Sequence, residues 1–215
     1  MCQPLTVRTR GRPPLLADEI ILAAALSAFA ASGYEAMSVR ALNAELGLSH
    51  ETISKRFGPK RDLFRAAVRF GVGRFVVDLD AERAESIDGG DLERLRGIVR
   101  AFMLTTSHHP ALGQLLHHEG LDDTERAILL DESGLGDRLT EVAGLLDRLH
   151  ASGVIRRTHL RELWFLAQGA VAPLHFPGLS TMFDRFDGPV DADEVIDRMT
   201  DTIMRGLTVD DGHGA

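Results

Sequence analysis

MSVRALNAELGLSHETISKRFGPK, from Met37 to Lys60, reads as two short helices joined by a tight turn. Ser38 stands where a cap belongs for a first helix running through Glu45, and Val39, Leu42 and Leu46 recur at i, i+3 and i+7 to give it one buried stripe. Gly47 ends that helix, because a chain that reverses within three residues needs a positive φ that glycine adopts without a Cβ clash. Ser49 is expected to cap the second helix, with Leu48 and Ile53 spaced as a hydrophobic staple. Ile53 and Phe57 then turn inward. Ser49, His50, Glu51, Thr52, Ser54, Lys55 and Arg56 remain outward, a polar and basic face suited to base edges and phosphates in a major groove. An ordinary helical hairpin with a solvated face has the same pattern, so the surrounding chain must decide between the two.

Charge is divided along the chain. Residues 1–74 carry a net charge of +5 and residues 75–215 a net charge of −13, giving −8 in all. A basic first third joined to an acidic remainder is the distribution expected if only the first part meets a polyanion. Residues 1–14 form a basic arm with Arg8, Arg10 and Arg12, and Gly11, Pro13 and Pro14 forbid a regular helix there. Such an arm can follow phosphates or enter the minor groove; a merely solubilising tail is the alternative. The single cysteine, Cys2, excludes an intrachain disulfide and is compatible with a reducing cytoplasm. The longest unbroken apolar run, Ile20 to Leu26, falls short of the roughly 18 residues that span a bilayer, and no secretory signal is visible. A cytoplasmic protein with no membrane partner is expected.

Outside the hairpin the periodicity remains helical. A first helix runs from about Asp18 to Ser32 with Ile21, Ala25, Ala28 and Phe29 on one face, and Gly33 closes it. Together with the hairpin it makes a three-helix domain over residues 15–60, whose reading unit is 37–57. Pro59 suits the start of a long helix toward Glu85, with Leu63, Ala67, Phe70 and Phe75 inward. Gly71 and Gly73 are expected to loosen its middle, at about 1 kcal/mol each relative to alanine. Further helices follow after Gly90, from Pro110, over about Asp123 to Ser152 with interruptions at Gly134 and Gly136, over Leu160 to Phe176, and over Asp191 to Leu207. No period-2 strand pattern stands out. The fold class is all-α, with residues 61–215 a second helical domain.

ILAAALSAFAASGYEAMSV, RALNAELGLSHETISKRF and GPKRDLF, in this order and spacing, resemble the tetracycline-repressor (TetR) family of bacterial transcription regulators over about residues 12–70. HHPALGQLLHHEG and LLDRLHASGVIR look like family-typical segments of the second half. The resemblance implies an N-terminal helix-turn-helix DNA-binding domain followed by an all-helical effector-binding and dimerisation domain. It implies a homodimer on a palindromic double-stranded DNA operator, released by a small-molecule effector, without enzymatic activity or cofactor. Ser38, Arg40, Ser49, His50, Thr52, Ser54, Lys55, Arg56 and Lys60 are then the candidate DNA contacts. Two departures matter: Asn43 stands where the family commonly has alanine, and Ser54, Lys55 and Arg56 replace residues that are commonly aromatic or histidine. A buried amide without a partner would cost on the order of 1 to 3 kcal/mol.

In the second half, Leu163, Leu166, Ala170 and Val171, then Val195, Ile196, Met199 and Ile203, offer apolar faces for dimerisation or for the chain's own core. Phe102, Met103, Leu116, Trp164, Gln168 and His175 are candidates to line an effector cavity with a few polar handles. His108, His109, His117 and His118 raise the alternative of a metal-responsive regulator. Adjacent histidines on a helix point in different directions, and no HExxH or cysteine-rich set accompanies them, so no metal site is assigned. A helical interaction module without DNA binding is the other alternative. No nucleophile elbow or phosphate-cradling glycine loop suggests an enzyme.

Overall fold

Helix α1 (Asp18–Ala36) opens the part of the computed structural model that is described, which comprises residues 16–84, 89–117 and 130–209, with the side chains of Leu116 and His117 outside it. Asp18 and Glu19 lie in its first turn, where the helix dipole favours negative charge. Gly33, at φ 75°, interrupts the helical dihedrals and so turns Tyr34 toward the core. By length and composition α1 could cross a membrane, yet its Ile21, Ala25 and Phe29 are fully buried in the protein core. Helices α2 (Val39–Glu45), α3 (Thr52–Phe57) and α4 (Lys60–Ala84) follow. Phe64 of α4 meets Phe29 and Tyr34 edge-on at 4.9 and 5.2 Å, which fastens the start of α4 to α1.

Helix α4 runs unbroken through both glycines. Gly71 does not loosen it; it lets α4 approach α1, since a Cβ there would lie 2.8 Å from Leu26 Cδ2 and 3.5 Å from Leu112 Cδ1. Gly73 faces open space. Helices α5 (Asp91–His108), α6 (Pro110–His117), α7 (Leu135–Ala151) and α8 (Leu160–Ala170) come next, then single helical turns over 172–187, and finally α9 (Ala192–Leu207). The expected helix over 160–176 breaks after Ala170, because Pro173 lacks the N–H that would bond residue 169 and its ring crowds that carbonyl. Gly134, at φ 72°, sets the start of α7, and Gly136 lies inside that helix; residues 123–129 are outside the described ones.

Helix α5 sits at the centre of the second half, against α4, α7, α8 and α9, while α6 packs on α1 and α4. Ion pairs brace these helices from outside. Glu141 receives Arg83 at 2.7 Å and Arg94 at 2.6 Å, and Arg148 meets Asp91 at 2.9 Å. Arg138 pairs with Asp80, and Arg100 with Asp197. The Arg83 guanidinium in first place holds the Glu141 carboxyl below its ordinary value, as Arg138 does for Asp80.

The apolar faces proposed for dimerisation divide. Leu163, Val171, Val195, Ile196 and Ile203 are buried within the chain and belong to its own core; Ala170 and Met199 are half-buried. Leu166 is 53% exposed, beside Phe165 at 61%, and exposed Phe176, Leu179, Met182, Phe183 and Phe186 follow.

Candidate nucleic-acid interface and interior cavities

The turn between α2 and α3 is built around a buried amide. Ser38 caps α2 as expected, accepting from Ala41 N at 3.3 Å. Ser49 does not cap α3. Residues 50 and 51 form a turn in which Thr52 N bonds Ser49 O at 3.0 Å, so α3 begins at Thr52, and Ser49 Oγ spends its bond on Thr52 Oγ1 at 2.7 Å. The orphan N–H of Ile53 is met from across the turn by Asn43 Oδ1 at 3.2 Å. Asn43 Nδ2 donates to Val39 O at 3.0 Å and His50 O at 3.2 Å. Fully buried Asn43 is therefore satisfied, and it fixes both ends of the turn that aims α3.

Around this staple the outward face is mixed in character. Ser38, Arg40, Ser49, His50, Ser54 and Lys55 are exposed, and Thr52 is half-buried. Lys55 Nζ lies 2.6 Å from Glu51 Oε2, and hydrogen bonding from Lys55 holds the Glu51 carboxyl below its ordinary value. Arg56 turns back instead of outward: it donates to Leu16 O at 2.6 Å and pairs with Asp18. Lys60 Nζ donates to Glu35 O at 3.0 Å and lies 4.8 Å from the centre of the Tyr34 ring. Two of the candidate contacts thus tie α3 and α4 to α1, while the others occupy the outer surface. The basic arm over 1–14 lies outside the described residues.

Beyond the hairpin, α4, α5, α7 and α8 line a small apolar chamber of about 50 Å³ whose walls include Leu79, Ile98, Phe102, Val142 and Trp164. Arg83 and Arg138, each already bound to a carboxylate, also border it. Phe102 and Trp164 stand 4.7 Å apart between ring centres. A smaller cavity shares Leu135 and Trp164 with the chamber and adds Phe75, Thr106, His109 and Gln168. An outer groove shares Gly113 and Gln168 with that cavity and reaches His175 and Phe176. Four of the candidate effector residues, Phe102, Trp164, Gln168 and His175, thus line one or more of these three neighbouring spaces. Met103 is fully buried and lines none of these spaces; it is core. The side chain of Leu116 lies outside the described residues. His109 Nε2 lies 2.8 Å from Asp78 Oδ2 of α4, and His175 Nε2 lies 3.1 Å from Thr106 O. Among the described residues no three His, Cys, Asp or Glu side chains group as metal ligands; His118 and the side chain of His117 are outside them.

Residues 21–67 match the family model of bacterial regulatory proteins of the tetR family. The chain carries a TetR-family DNA-binding domain. Solved structures extend the likeness in fold to the helices beyond it. The TetR-family transcriptional regulator PfmR from Thermus thermophilus is 23% identical, with a TM-score of 0.60 over 90% of this chain and 98% of that one. A putative fatty acid metabolism regulator of Clostridium perfringens is 18% identical, with a TM-score of 0.63 over 88% and 98%. The ketosteroid transcriptional regulator KstR2 of Mycobacterium tuberculosis is 18% identical, with a TM-score of 0.61 over 89% and 94%. No curated protein matches the sequence.

The TetR-type domain ends inside α4, and the same helix continues into the cavity walls. Residues 60–67 hold Tyr34 and the core of α1, whereas Val72, Phe75, Leu79 and Arg83 border the cavities. One continuous helix therefore borders both the N-terminal three-helix domain and the interior spaces. Asn43 is the residue of the hairpin whose partners were hidden in the sequence. Its signal was a polar side chain set within the apolar stripe of α2, adjacent to Leu42.

Proposed function

We propose that this protein is a dimeric regulator that represses transcription from a palindromic operator and is released from it by a small molecule lodged in the cavities behind α4. The observation that carries the reading is the TetR-type hairpin, with an exposed Ser49, His50, Ser54 and Lys55 face aimed by the Asn43 staple. The dimer is supported by the exposed Phe165 and Leu166 on α8, which continue into the apolar residues over 176–186 and would be costly to leave in water. Two-fold symmetry in the protein requires two-fold symmetry in the site, with reading helices about 34 Å apart or a multiple of this. The effector role is supported by α4, which borders the cavities and holds α1. Occupancy can separate two orientations of α4 only by its difference in affinity between them. The names of the structural neighbours, a fatty acid metabolism regulator and a ketosteroid regulator, agree with a largely apolar effector.

Selection of bound sequences from random duplexes, with wild type and Lys55→Ala in parallel, tests the reading. An inverted repeat enriched by wild type and weakened in the variant is expected. Absence of any enrichment by wild type would remove the function and leave the fold.

A further inference from the structure

Arg56 has the sequence position of a phosphate contact, yet its guanidinium is spent on the start of α1: it donates to Leu16 O at 2.6 Å and pairs with Asp18. The consequence is positional. The basic arm joins the folded domain at Leu16, so a side chain of α3 itself holds the root of the arm beside α3. Residues 1–17 contain Arg8, Arg10 and Arg12 and no Asp or Glu, and Asp18 is the first carboxylate in the chain. Its pairing with Arg56 neutralises the charge at the root that would otherwise oppose a phosphate.

Reach then decides what the arm can meet. With α3 in a major groove, the minor groove on the same face of the duplex lies half a helical turn away, about 17 Å. Arg12, Arg10 and Arg8 are four, six and eight residues before Leu16. At about 3.3 Å per residue, an extended chain carries them at most roughly 13, 20 and 26 Å. Arg12 therefore stops over the phosphates at the groove edge, while Arg10 and Arg8 have the length to enter. Pro13 and Pro14 cost little of this reach, because their fixed φ favours extended backbone over helix. Gly11, between Arg10 and Arg12, has no Cβ to hold the backbone off the groove. Guanidinium groups are drawn into narrow A·T minor grooves, where the negative potential is enhanced and the floor lacks the guanine N2 amino group. We infer that the N-terminal arm is a second DNA-reading element: Arg8 and Arg10 enter the minor groove of A·T pairs flanking the major-groove site, from a root fixed by Arg56. This extends the DNA-binding reading proposed above, and rests on it.

The test holds the selected core constant and varies only the pairs flanking it: A·T, G·C, or inosine·cytosine, which presents a G·C-like major groove but lacks the N2 amino group in the minor groove. Binding of the full chain is followed by anisotropy at several salt concentrations, beside the triple variant Arg8→Ala, Arg10→Ala, Arg12→Ala. Wild type is expected to prefer A·T flanks over G·C flanks roughly five- to tenfold, with inosine·cytosine flanks bound like A·T. In the triple variant the flank preference should fall to within about twofold and the salt slope should drop by about 2 to 3, while the penalty for a changed core pair stays that of wild type. Wild type indifferent to the flanks, a preference retained by the triple variant, or inosine·cytosine flanks bound like G·C would each overturn the inference. The same data separate it from the reading beneath it. A core bound specifically with indifferent flanks removes the minor-groove arm alone, whereas no specific core at all removes the regulator and the arm together.

Discussion

Replacing Asn43 by alanine tests how this protein sets the start of α3. The substitution removes three hydrogen bonds at once: Ile53 N to Oδ1, and Nδ2 to the carbonyls of Val39 and His50. Ile53 is fully buried, so its N–H would lose its acceptor with no water at hand, a cost of about 1 to 3 kcal/mol. The carbonyls add less, since His50 is exposed and can turn to water. A net loss of about 2 kcal/mol follows, which for a chain of this size lowers the melting temperature by roughly 4 to 8 °C. Affinity for the selected duplex should fall with it, because the start of α3 is no longer held. Asn43→Asp sharpens the test. One oxygen still accepts from Ile53 N, but the other faces two carbonyls, which raises the folded-state pKa above the ordinary value of about 3.9. A carboxyl with a raised folded pKa is destabilising above that pKa, so this variant should be weakest near neutral pH and recover relative to wild type as pH falls through it. Thermal melts followed by circular dichroism and duplex binding followed by anisotropy provide the readouts. An alanine variant that melts with wild type and binds DNA equally well would refute the assignment of Asn43 as the cap of α3.

Other substitutions separate roles that neighbouring residues share. Gly73→Ala should stabilise α4 by about 1 kcal/mol, whereas Gly71→Ala should lose that gain to overpacking against Leu26; equal melting temperatures in the two variants would contradict the close approach of α1 and α4. Glu141→Gln should lower stability at neutral pH by about 1 kcal/mol or less, since the group is a third exposed. The folded-state pKa of Glu141 is lowered, so its contribution is present above the ordinary value of 4.5 and is lost as pH falls below it; the difference between wild type and variant should vanish there. Lys55→Ala should reduce the salt dependence of DNA binding by about one phosphate contact without changing the melt. Arg56→Ala should instead lower the melting temperature, as Asp18→Asn should, because that guanidinium is bound to α1. Leu166→Lys should shift the protein toward monomer in sedimentation; an unaltered dimer would exclude the outer face of α8 from the interface.

Much of this structure was legible in sequence because its signals are local. The cap at Ser38 and the positive-φ glycines at Gly33 and Gly47 depend on neighbours a few residues away, and each appears where its chemistry places it. What was hidden depends on contacts between distant segments. Arg56 has the sequence of a DNA contact, but its partners Leu16 and Asp18 lie about forty residues earlier. Gly71 has the sequence of a weak point in a helix, and only the position of Leu26 makes it a packing site. Val195, Ile196 and Ile203 form an apolar stripe that serves the chain's own core equally well as a dimer face, and periodicity does not distinguish the two. The interior cavities were legible only as residue types, since the empty space among Phe102, Trp164 and Gln168 is set by how four helices pack.

The most direct test of the central claim is the stoichiometry of the protein on its selected duplex, measured by sedimentation with one arm of the repeat intact or scrambled. Two chains per duplex are expected on the intact repeat, with affinity falling sharply when either arm is scrambled. A single chain bound per duplex, or affinity indifferent to the arms, would contradict a dimeric operator-binding regulator.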